Sequence, residues 1–134
     1  KTTGVTYEAS IIYDLTQRIE FKVDTNHQVT PSNTPGKLYD IITNSEAYVR
    51  YDLGTSFEIS VGDALVDSKS NVDSVLPFAV VTDSNTNDVY GSIKYKLGQR
   101  ASLLLDLRQE ERRTNLTEFN YSDTRVTLTA DVRF

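Results

Sequence analysis

The chain offers few groups for bond-making chemistry. It has 134 residues, no Cys and a single histidine, His27. His27 with Ser32 and Glu46 would be raw material for a hydrolytic triad, which needs nucleophile, base and orienting acid within hydrogen-bond reach. Nothing in their spacing brings the three together, and an exposed histidine is the plainer reading. Without Cys there is no disulfide framework and no thiolate nucleophile or metal ligand, and no His-x-x-x-His suggests zinc. Asp63, Asp67 and Asp73, or Asp83 and Asp88, carry the oxygens Ca²⁺ prefers, but they lack EF-hand spacing and read as solvated acidic loop. No cofactor is implied.

Eight charges have more to say: Glu46, Arg50, Glu58, Asp106, Arg108, Arg125, Asp131 and Arg133. They fall at positions that share one face of successive strands. Such a face is either a pore lining whose charges tune selectivity or a plugged lumen in which they neutralise one another. In the plugged case Arg125 would pair with Asp106, or Arg108 with Asp131, across neighbouring strands.

The elements that must position these charges are strands. From Thr124 to Phe134, Val126, Leu128, Ala130, Val132 and Phe134 alternate with Arg125, Thr127, Thr129, Asp131 and Arg133. Successive strand side chains point to opposite faces, so one face is apolar and the other charged. Similar alternation predicts strands at about 3–14, 18–29, 38–52, 56–66, 88–96 and 101–112. Loops are expected at Thr30–Lys37, Asp67–Asn87 and Thr114–Asn120. An eighth strand within Val72–Thr82 is the alternative, because Val75, Leu76, Phe78, Val80 and Val81 are apolar for a loop.

Three stretches align: Tyr13-Asp-Leu-Thr-Gln-Arg-Ile-Glu-Phe21, Tyr51-Asp-Leu-Gly-Thr-Ser-Phe-Glu-Ile59 and Tyr95-Lys-Leu-Gly-Gln-Arg-Ala-Ser-Leu103. Each reads as a strand ending in Tyr, a tight turn and a new strand, with Gly54 and Gly98 supplying positive φ. Short turns at one end and variable loops at the other describe an up-and-down barrel. The alternating stretches are about 10 residues long, the length of a tilted membrane crossing. Tyr13, Tyr51, Tyr95 and Phe134 fall at the same strand ends, like one aromatic girdle at a bilayer interface. The expected fold class is therefore all-β, an antiparallel transmembrane barrel, with a soluble β-sandwich as the alternative. Seven strands are odd where bacterial barrels close on even numbers, so residues 1–134 read as a single barrel domain lacking N-terminal strands of a larger barrel. A net charge of −5 argues against nucleic acid as a partner.

The segment ending at Leu128, Ala130, Val132 and Phe134 resembles the terminal strand of Gram-negative outer-membrane barrels. That resemblance implies an assembly signal, with the barrel assembly machinery and outer-membrane lipid as partners. Tyr95-Lys-Leu-Gly-Gln-Arg-Ala-Ser-Leu103, Glu110-Glu-Arg-Arg113 and Asn120-Tyr-Ser-Asp-Thr-Arg-Val-Thr-Leu128 together resemble the C-terminal hairpins of β-barrel porins associated with exopolysaccharide or capsule export. The likeness covers about Tyr90–Phe134 and implies passive transport of a polysaccharide or small solute across the outer membrane. Two other functions fit a barrel. One is a structural or adhesive protein that binds a partner through its outer loops, since binding residues concentrate on loops held by a rigid scaffold. The other is a lipid-modifying enzyme using His27.

Overall fold

The computed structural model describes residues 5–33, 36–72 and 81–133. Seven strands follow in chain order: β1 Tyr7–Thr16, β2 Ile19–Pro31, β3 Lys37–Leu53, β4 Phe57–Val72, β5 Asp83–Leu97, β6 Ala101–Thr114 and β7 Tyr121–Val132. One 3₁₀ turn, Thr117–Phe119, joins β6 to β7. The strands form a single antiparallel sheet in sequence order. The protein is thus all-β and up-and-down, as the alternation requires. The sheet is open, with β1 and β7 as its edges. Both edges run toward the tight-turn end.

The tight turns follow from local chemistry. Gly54 and Gly98 adopt φ of 70° and 71°, a left-handed backbone that costs glycine little. The first turn has no glycine. There the Thr16 hydroxyl accepts from the amides of Arg18 at 3.2 Å and Ile19 at 3.1 Å, a side-chain substitute for a backbone turn bond.

Two expected loops are shorter than the sequence suggests. Asp67–Val72 belongs to β4 and Asp83–Asn87 to β5, where Asp67 faces Asn85 and Lys69 faces Asp83. Thr30 and Pro31 close β2, and Lys37 opens β3. These strand ends are polar on both faces, so the alternation disappears while the ladder hydrogen bonds continue. The eighth strand weighed within Val72–Thr82 falls mainly on residues outside those described, and Val72 itself ends β4.

The register places the apolar residues on one face. One row across the sheet reads Tyr13–Phe21–Val49–Val61–Gly91–Leu107–Val126. The next row toward the turns reads Ile19–Tyr51–Ile59–Ile93–Leu105–Leu128. Nothing covers these rows. Among the described residues no apolar side chain is buried, and Ile11, Val61, Val126 and Leu128 are each more than half exposed. The surface of 9724 Å² compares with roughly 7,100 Å² for a compact monomer of this mass. No second layer of the chain packs on either face among the described residues.

The apolar band runs obliquely to the rows. On β1 it covers Tyr7, Ala9, Ile11 and Tyr13, and on β7 Val126, Leu128, Ala130 and Val132. Tyr13 is its last member before the turn on β1, yet the same row meets β7 at its first member, Val126. The band therefore slips by about one residue per strand. With a rise of about 3.3 Å per residue and strands about 4.8 Å apart, that slip corresponds to a strand tilt of about 35°.

Candidate functional site

All eight singled-out charges stand on the face opposite the apolar band. The register puts them in three rows. The first contains Asp24, Glu46, Ala64, Asp88, Glu110 and Asp123; the second Lys22, Tyr48, Gly62, Tyr90, Arg108 and Arg125; the third Glu20, Arg50, Ser60, Ser92 and Asp106. Glu58, Asp131 and Arg133 lie nearer the turns. Carboxylates dominate the first row, while the second is made of cations and phenols.

These two rows bond to each other. Lys22 reaches Asp24 at 2.6 Å, Arg108 reaches Asp88 at 3.3 Å, and Arg125 reaches Asp123 at 3.2 Å. The Tyr90 hydroxyl donates to Glu46; from the other side of the first row, the Tyr121 hydroxyl donates to Glu110. In the third row Arg50 meets Glu20 at 3.3 Å, while Tyr48 donates to the same carboxylate at 3.3 Å. Lys96 meets Glu58 at 3.7 Å and Arg133 meets Asp131 at 3.5 Å. The expected neutralisation of Arg125 by Asp106 and of Arg108 by Asp131 does not occur. Arg108 lies directly opposite Arg125, and Asp106 opposite Thr127. Like charges facing each other are unfavourable, and each arginine is relieved by a carboxylate one row away.

Sequence reasoning missed the centre of this face. Gly62 on β4 sits between Tyr48 on β3 and Tyr90 on β5. The Tyr90 ring crosses the space a side chain at 62 would fill: a Cβ there would lie 2.5 Å from the ring's Cζ and 2.9 Å from the Tyr48 Cβ. The bare backbone of Gly62 lets Tyr90 reach over β4 to Glu46, with the Arg108 guanidinium 5.5 Å from its ring centre. A glycine inside a strand, away from any turn, was the available signal.

The apolar face carries the aromatic line. Tyr13 faces Phe21, Tyr51 faces Ile19 and Ile59, and Tyr95 stacks on Phe57 at 4.5 Å. Relative to the row of Tyr13, Tyr51 lies two residues nearer the turns on β3 and Tyr95 four residues nearer on β5. This is the slope of the apolar band, so the three tyrosines follow its edge. The line meets β7 at Val132; Phe134 lies outside the described residues.

The triad candidates are separated. His27 shares the apolar face, where its ring stacks on Tyr7 at 5.1 Å and its Nδ1 meets the Thr43 hydroxyl at 2.8 Å. Glu46 is on the other face. The acidic candidates are dispersed as well: Asp63 and Asp67 are on the His27 face of β4, Asp88 is paired with Arg108, and Asp73 is outside the described residues. Among the described residues no three His, Asp or Glu side chains form a group suited to a metal.

Beyond the apolar band, β3 and β4 continue as a polar ribbon. Lys37 donates to the Ser70 hydroxyl at 3.0 Å, and Ser70 donates to Asp40 at 2.5 Å. The Ser70 bond, with Lys37 nearby, holds the Asp40 carboxyl below the usual aspartate range. A carboxyl depressed on folding stabilises the ribbon above its unfolded pKa, and that contribution disappears as pH falls through the folded value. Ser70→Ala should return Asp40 toward the ordinary aspartate pKa. Carboxyl ¹³C shifts followed from pH 6 down to pH 2 check this, and an unmoved titration would refute it.

No protein-family model matches the chain, and neither a curated protein nor a solved structure matches it.

Proposed function

We propose that the chain forms part of an outer-membrane β-barrel of a Gram-negative bacterium and acts as a passive, porin-like channel for a small solute or polysaccharide. One observation carries this reading: the uncovered apolar band slants across the sheet so that the strands tilt by about 35° from the band's normal, within the 35–45° at which barrel strands cross a bilayer, and tyrosines follow its edge. Lipid is the natural cover for such a band, and Tyr rings favour the interface. The charged face then lines the lumen. Arg50 Nε, Arg108 Nε and Asp88 Oδ1 are enclosed on that face without a hydrogen-bond partner among the described residues.

Closure needs more strands. Since β1 and β7 run the same way, an all-antiparallel ring takes an odd number of further strands between them. The β7 residues Leu128, Ala130 and Val132, with Phe134, form the assembly signal in this reading. Planar-bilayer recording of the reconstituted protein tests transport. Discrete conductance steps are expected, and correctly inserted protein that passes neither ions nor sugars would remove the channel claim.

The polar ribbon of β3 and β4 favours a second reading, adhesion. It projects past the apolar band as paired strand, a rigid platform for partner contacts. Replacing Lys69, Ser70 and Asn71 should then abolish partner binding and leave conductance alone.

A further inference from the structure

The charges on the polar face are segregated at the tight-turn end. On β1–β4 that end carries Asp14, Glu20, Asp52 and Glu58, with Arg18 and Arg50 against them. On β5–β7 it carries Lys94, Lys96, Arg100 and Arg133, with only Asp106 and Asp131 against them. Those four cations and the Asp131 carboxylate line one concavity of about 210 Å³, with Ser102 and the Gly98 turn. Lys96 is engaged by Glu58 and Arg133 by Asp131, both at or beyond 3.5 Å. Lys94 and Arg100 make no ion pair among the described residues. A chain of net charge −5 therefore concentrates unneutralised positive charge in one place.

We infer that this concavity is a binding site for an oxyanion group, the carboxylate or phosphate of a small solute or of one residue of a chain. The chemistry matches. Two guanidiniums present planar forks suited to a carboxylate or phosphate, and Lys94 adds a compact charge to the same concavity. The Gly98 turn, fixed at φ 71°, and the bond from the Arg133 amide to the Arg100 carbonyl at 2.8 Å hold the turn against β7. This brings Arg100 and Arg133 to the same mouth. The volume suits one small anionic group. The site follows from side chains sharing a face, and it stands whether or not the face encloses a pore.

The test is an NMR titration of the ¹⁵N-labelled protein in detergent micelles with sodium phosphate, sodium glucuronate and glucose. Saturable amide shifts are expected at Lys94–Ser102 and Arg133 with the anions and not with glucose. They should weaken as sodium chloride rises, because exposed charges are screened. A response to phosphate alone assigns the site to phosphate, and one to glucuronate alone to carboxylates. The Lys94→Gln/Arg100→Gln double variant should weaken binding at least fivefold, its spectrum elsewhere showing the same fold. Shifts that fail to saturate, spread along the acidic row, appear equally with glucose or persist in the double variant would overturn the site. Saturable binding without conductance would remove the channel alone. Conductance without saturable binding would remove the site alone.

Discussion

Gly62→Val is expected to be among the most damaging single substitutions on the polar face. Its side chain would occupy the space of the Tyr90 ring and press on the Tyr48 Cβ. Tyr90 can swing away only by giving up its bond to Glu46 and its place beside Arg108. Tyr48 cannot move far, because its Cβ belongs to the paired backbone of β3. Overpacking of this kind costs about 1–3 kcal/mol, and the carboxylate bond lost from Tyr90 adds about 1.5–3 kcal/mol. Tyr90→Phe removes only the hydroxyl and should cost the hydrogen-bond contribution alone, with no overpacking. Urea unfolding of the wild type, both single variants and the double variant separates the terms. The double variant should be less destabilised than the sum of the singles, since both act on one contact. Strictly additive effects would mean that Gly62 and Tyr90 are independent.

Leu105→Arg should have the other large effect, and it discriminates between membrane and water. Leu105 lies between Ile93 and Leu128, near the centre of the oblique band. An arginine at the bilayer midplane costs about 2–4 kcal/mol in a barrel. Its neighbour Leu104 points to the polar face, between Lys94 and Thr129. The same substitution there should cost less than about 1 kcal/mol, mainly through like-charge proximity to Lys94. The readout is the fraction of protein folded in liposomes, followed by heat-modifiable migration on a gel. A large loss for Leu105→Arg with near-normal insertion for Leu104→Arg is the expected result. Equal behaviour of the two would mean that the band does not face lipid, and the membrane reading would fail.

The sequence by itself determined the strands, their facing and the tight turns. Period-two alternation is a local property, so Val126–Val132 declares its apolar side without reference to any partner. Gly54 and Gly98 likewise declare their turns, because positive φ is a property of one residue. That Glu46, Arg50, Glu58, Asp106, Arg108, Arg125, Asp131 and Arg133 share a face followed from the same parity. Where both faces are polar, as at Asp67–Val72 and Asp83–Asn87, parity is silent, and only ladder pairing showed that the strands continue. Register between strands is also absent from local pattern, because it depends on which residue of one strand meets which of the next. It alone decided that Arg108 meets Arg125 and is neutralised by Asp88, that Tyr90 spans Gly62 to reach Glu46, and that His27 and Glu46 are on opposite faces. It also decided that the apolar band is oblique. Each strand carries its own apolar stretch, but its offset of about one residue from the next exists only once the strands are paired.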